Sequence, residues 1–128
     1  MIRQFIDIDD YWKVIVYYNV DYGLFKYIVT DFKRNNAERK TIKSIYNSML
    51  SGNAKAVTHS NLDLHTSIVL FNNHTSKSDY INSLVHEAEH IKQAMLEAYN
   101  VEDEGEPPAY TIGYLVMRMW EVFKSIKF

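Results

Sequence analysis

No cysteine occurs among the 128 residues. That excludes a disulfide frame, a thiolate metal site and a cysteine nucleophile. Any metal would fall to histidine, carboxylate and water. Glycine and proline are scarce, at four and two residues, and there are no internal repeats, low-complexity tracts or long linkers. No apolar run approaches the roughly 20 residues of a membrane span. The opening "MIRQFIDIDDYW" lacks a basic stretch followed by an apolar one, so no secretory signal is expected and a cytoplasmic location is the default. Neither sign of charge dominates: 14 Lys and Arg stand against 16 Asp and Glu, net −2. Nucleic acid and anionic membrane are therefore not expected partners.

What is present is an ordinary globular balance, 47% hydrophobic and 23% charged. The length suits one domain over residues 1–128 with one proper core. Ten tyrosines are many, but tyrosine fits strands as well as binding surfaces.

Residues 11–18, "YWKVIVYY", alternate Trp12, Val14, Val16 and Tyr18 against Tyr11, Lys13, Ile15 and Tyr17, which predicts a strand with one apolar face. After the turn "NVDYG", the run "LFKYIVTDF" reads as a second strand that closes a hairpin. Residues 37–51 carry Ile42, Ile45, Tyr46 and Met49 at helical spacing, with Asn36 as N-cap and Gly52 as stop. "KAVTHS" and "TSIVLFN" are strand-like and are joined through "NLDLH". A long helix follows from Ser76, with Ser76 and Asp79 as a capping box. Its apolar face runs through Ile81, Leu84, Val85, Ala88, Ile91, Met95 and Ala98. After the acidic "VEDEGE", Pro107 and Pro108 open a last helix, apolar nearly all round and so expected to be buried. The order ββ-α-ββ-α-α implies an α+β domain: a small antiparallel sheet of two hairpins packed against three helices.

Within the long helix lies "HEAEH", residues 86–90. Side chains four apart on a helix point the same way, so the His86 and His90 imidazoles can converge on one ion at Zn–N distances of about 2.0–2.1 Å. Glu87 sits at the flank of the pair. Its carboxylate reaches a metal-bound water more readily than the metal, which is the placement of a general base. The apolar stripe is centred near Leu84, Ala88 and Met95, with His86 and His90 on the other side beside Ser83, Gln93 and Glu97. They are not core histidines. The plain alternative is a solvated polar face, and chance alone produces this pattern in a chain of this composition at a rate on the order of one percent.

A third ligand separates the two readings. Glu102, Asp103 and Glu104 read as a solvated acidic loop. Glu106 stands at the mouth of the last helix, in phase with Ala109, Tyr110 and Gly113. Ala109 and Gly113, at i+3 and i+7, make a flat strip that another helix can approach closely, and the His86/His90 helix is the natural partner. His59, His65 and His74, in or beside strands and loops, are the other imidazole candidates, and His59 or His65 could also serve as an oxyanion donor.

"HEAEH" with "EPPA" at 106–109 resembles the gluzincin branch of the zincin metallopeptidases, in its compact, minigluzincin form. "EPPAYTIGY" is also similar to the last helix of small phage- and mobile-element-encoded proteins. The likeness covers roughly residues 76–120. It implies one Zn²⁺ per chain on His86, His90 and Glu106, with Glu87 as base. It also implies a zincin-like active-site helix followed by a ligand-bearing C-terminal helix, and a peptide or protein substrate. In that scheme Tyr110, one turn from Glu106, is the candidate oxyanion donor, with packing against the core as its plain alternative. Asn82, Gln93 and Glu97 are candidates to orient the imidazoles. The strand "HTSIVLF" would be an edge that adds a peptide strand, or else a central core strand. The competing functions are a non-catalytic zinc-binding module and a metal-free binding protein.

Overall fold

A computed structural model describes residues 1–128 and is α+β. Four strands, β1 (Ile2–Ile8), β2 (Trp12–Tyr18), β3 (Ala56–Asn61) and β4 (Thr66–Phe71), form one sheet in the order β1-β2-β4-β3. Four helices complete it: α1 (Phe25–Arg34), α2 (Arg39–Leu50), α3 (Lys77–Ala98) and α4 (Glu106–Phe123).

The sheet is mixed rather than antiparallel. β1–β2 and β3–β4 are antiparallel hairpins, but they join through parallel β2 and β4, with Val16 opposite Val69. A parallel join needs a long crossover, and residues 19–65, carrying α1, α2 and β3, supply it. β2 and β4 are central and covered on both faces. This explains why "SIVLF" reads as a continuous buried run rather than an alternation.

Two expected elements change. The partner of β2 is β1, which precedes it. The connection is Asp9, Asp10 and Tyr11, in which the Tyr11 amide donates to the Ile8 carbonyl at 2.8 Å and Asp9 and Asp10 take φ of 47° and 61°, positive values that aspartate tolerates. "LFKYIVTDF" is not a strand but most of α1. The β-branched Ile28-Val29-Thr30 favours a strand locally. Yet Phe25, Ile28 and Phe32 also share a helical face, and all three are buried. With β1 already on the outer edge of β2 and β4 on the inner, that segment has no place in the sheet. α2 starts at Arg39 behind Glu38, not behind Asn36. Asn36 instead takes φ 55° just after α1.

The helices lie in two layers. α1 and α2 cover one face, where Phe25, Ile28, Phe32, Ile42 and Met49 pack on Tyr17, Ile68 and Leu70. α3 and α4 cover the other, where Tyr80, Leu84, Ala88, Ile91, Leu115, Met119 and Phe123 pack on Ile6, Val14, Val16, Val69 and Phe71. Trp12, fully buried there, donates its indole N–H to Ser67 Oγ at 2.9 Å. Ser67 Oγ lies 2.6 Å from Ser60 Oγ, so the polar groups of the buried Trp12 and Ser67 are paired.

α3 begins where expected. Ser76 Oγ accepts from the Asp79 amide at 3.1 Å, while the Asp79 carboxylate takes Lys55 Nζ at 2.8 Å instead of closing the capping box. α4 is not buried all round. Leu115, Met119 and Phe123 face inward, but Tyr110, Met117 and Trp120 are exposed, because only one side of α4 has anything to pack against. Ile81 and Val85, expected on the apolar face of α3, are exposed as well. No helix is long and apolar enough to cross a membrane.

Candidate functional site

α3 and β3 run side by side in the same direction. Lys55 pairs with Asp79 at their starts, and Thr58 meets Glu87 further along. Between them opens a groove of about 520 Å³. One wall is β3, presenting Ala56, Thr58 and Ser60. The other is the α3 stripe His86, His90, Gln93 and Glu97. That stripe falls at i, i+4, i+7 and i+11, one face of a helix. β3 is an edge strand, so its outer main-chain groups have no strand partner.

The two imidazoles converge. His86 Nε2 and His90 Nε2 are 3.1 Å apart, with ring planes at 80°. Two nitrogens on one tetrahedral zinc, at about 2.0–2.1 Å each, would be about 3.3 Å apart. The separation therefore matches that of two positions in a zinc shell. Both rings are solvent-exposed, so nothing blocks an ion. Glu87 lies deeper. It is 5% exposed, and one carboxylate oxygen accepts from Thr58 Oγ1 at 2.9 Å. That bond holds the carboxylate in the groove that the imidazole pair also lines.

Glu106 is not part of this arrangement. It is exposed in the first turn of α4, does not line the groove, and no three His, Asp or Glu side chains gather into a metal-holding group. The reason lies in α3. Lys92 comes two residues after His90, about 200° round the helix. Its side chain is only 9% exposed, and its ammonium pairs with Glu89 at 2.8 Å and with Asp103 at 2.9 Å. The connection between the helices is thus drawn to the flank of α3 opposite the histidines. α4 continues on that flank toward β1, where the Gln4 amide donates to the Arg118 carbonyl at 2.8 Å. Ala109 and Gly113 consequently face solvent, and a Cβ built on Gly113 would meet nothing within 4 Å. The expected close approach of that strip to α3 is not made.

Tyr110 does not reach the groove either. It is 74% exposed and borders a separate hollow of about 200 Å³ with Ile8, Asp9, Thr111 and Tyr114. The remaining histidines have other surroundings. His59 lies under α1, edge-on to Phe32, on the opposite face of the sheet from the groove. Burial lowers its pKa, and its Nδ1 has no partner. His65 sits in the β3–β4 turn, stacked on Trp12 and 3.1 Å from Tyr99 Oη. His74 bridges the Asn72 carbonyl and Ser83 Oγ and stacks on Tyr80. Gln93 donates to Glu89 rather than to an imidazole.

The strand assignment also shifts. "HTSIVLF" is central β4, and the edge beside the histidines is β3, read from sequence only as a strand. The sequence carries a signal for Thr58: Thr58 and Ser60 are small polar residues at period 2 on the face that turns toward α3.

Compared with protein-family models, with characterised proteins and with solved structures, the chain gives no match.

Proposed function

We propose that this protein is a zinc-dependent peptidase whose working groove lies between β3 and α3. The observation that carries the reading is the pair of Nε2 atoms 3.1 Å apart, with the Glu87 carboxylate beside them and an open strand edge above. His86 and His90 would hold the ion. Glu106 is the proposed third donor, and to reach the pair the Val101–Gly105 connection must leave Lys92. When bound, zinc supplies a Lewis acid and lowers the pKa of its water toward 7.

The chain's own groups do the rest. Glu87 accepts the proton of the attacking water on the carboxylate oxygen not committed to Thr58, then returns it to the leaving amine. The Thr58 hydroxyl holds the carboxylate in that orientation and loses nothing in the exchange, since it stays a donor throughout. β3 would bind the substrate as an added strand through its main chain.

A second reading is a zinc-binding module without turnover. It is favoured by the position of Glu106, which leaves the imidazole pair without a third protein ligand.

The test is zinc content and affinity of wild type, His90→Ala and Glu106→Ala, followed by hydrolysis of a peptide mixture by wild type and Glu87→Gln. The peptidase reading expects about one zinc per chain, lost in His90→Ala and weakened in Glu106→Ala, and hydrolysis abolished in Glu87→Gln. Zinc without hydrolysis would favour the module. No zinc in wild type would end both.

A further inference from the structure

The groove has an electrostatic asymmetry along its length. Its lining contains no lysine or arginine, and its two carboxylates are Glu87 and Glu97. Glu87 is engaged by Thr58. Nearby Glu89 points to Lys92. Glu97 has neither an ion pair nor a side-chain hydrogen bond, and it is exposed at the end of the groove away from the α3 N-terminus. It is seven residues beyond His90 on the same helix face, about 10.5 Å along the axis.

An extended chain advances about 3.4 Å per residue. A peptide laid along β3 with its reacting carbonyl at the imidazole pair therefore brings a residue about three positions away to Glu97. The direction follows from the strand. β3 and α3 run the same way, so a peptide pairing antiparallel to β3, the more stable ladder, has its N-terminal half toward Glu97.

We propose that Glu97 is a specificity-determining residue: it selects peptides with a lysine or arginine about three residues before the bond held at His86 and His90. This rests on the reading of the groove as a peptide site. A free carboxylate facing a basic side chain gains an ion pair, and facing an acidic one it meets repulsion. Glu89 and Asp103 are both held by Lys92 and neither lines the groove, which leaves Glu97 as the unpaired carboxylate that discriminates there.

The experiment is binding, so it does not depend on turnover. Two fluorescein-labelled nine-residue peptides rich in valine and threonine, identical except for lysine or glutamate at one position, are titrated by anisotropy into zinc-loaded Glu87→Gln protein. Moving that position along the peptide locates the site. The lysine peptide is expected to bind roughly fivefold more tightly, with the difference shrinking at high salt. Glu97→Gln should erase the difference and Glu97→Lys reverse it. Because Glu97 is exposed, both variants should unfold at the wild-type temperature, which circular dichroism checks. Equal binding of the two peptides at every position, or a preference unchanged in Glu97→Gln, would overturn the proposal and leave the peptide groove standing. No binding of either peptide would overturn the groove reading and the proposal with it.

Discussion

His86 and His90 face each other through their Nε2 atoms at 3.1 Å, one helical turn apart. Two exposed imidazoles do not need each other, because water satisfies them equally well. Their convergence is a consequence of helix geometry: the i, i+4 spacing brings the rings together over one point in front of the groove. If that point holds an ion, stability is linked to it, since a ligand that binds only the folded chain stabilises it. Excess zinc should raise the unfolding temperature of wild type by several degrees, and a chelator should reverse this. His86→Ala should show neither effect. Differential scanning fluorimetry with and without zinc measures it.

The bond between Thr58 and Glu87 invites its own test. Thr58→Val keeps the shape of the side chain and removes the only side-chain donor to a nearly buried carboxylate. The expected cost is about 1–3 kcal/mol in urea unfolding, because the carboxylate is then left under-satisfied. Glu87→Gln should cost less, since its amide oxygen still accepts from Thr58. If Thr58→Val proves as stable as wild type, Glu87 is held by something other than this bond.

His59 makes stability depend on pH. Burial holds its imidazole below the ordinary 6.5, and its Nδ1 has no partner. As pH falls through about 6.5, the unfolded chain takes up a proton at this residue that the folded chain resists. The His59 contribution is therefore complete above that pH and is lost as pH falls toward the lowered folded value. His59→Leu should flatten the stability profile as pH falls below about 6.5, relative to wild type. The check is urea unfolding of both proteins across that range, since the difference isolates this one group.

On the same face, Asp31 accepts Arg3 Nε at 3.2 Å and also takes the Tyr17 hydroxyl. Its side chain is 6% exposed and that of Arg3 is 45% exposed. Burial first, and the neighbouring Asp31 second, push the Tyr17 pKa up to about 12, so its phenol stays protonated and donates. Asp31→Ala removes the acceptor for both partners. Arg3 can turn to water, but the phenol cannot do so fully, and the expected loss is about 2 kcal/mol. Equilibrium unfolding of the variant measures it, and a loss below about 0.5 kcal/mol would mean that water replaces the carboxylate fully.

Much of this molecule can be read from local pattern. Ser76 as cap, the phase of His86 and His90 on α3, the start of α4 at its prolines and the β3–β4 hairpin all depend on residues within a few positions of one another. Periodicity and turn chemistry report such features directly. The same local view failed where two periods competed. "LFKYIVTDF" satisfies a strand by its β-branched centre and a helix by Phe25, Ile28 and Phe32, and the contacts that chose the helix come from Ile42, Met49, Ile68 and Leu70.

The sequence by itself determined that two imidazoles would stand together with a carboxylate beside them, because a helix carries that geometry in its own turn. Only the tertiary structure decided what surrounds them. The parallel join of β2 to β4 sent β3 to the sheet edge above the histidines. The pull of Lys92 on Asp103 and the hold of Gln4 on Arg118 set α4 on the other flank of α3, with Glu106 and Tyr110 outside the groove. Those outcomes rest on partners 11 and 114 positions apart, and helix phase says nothing about which flank a following helix will take.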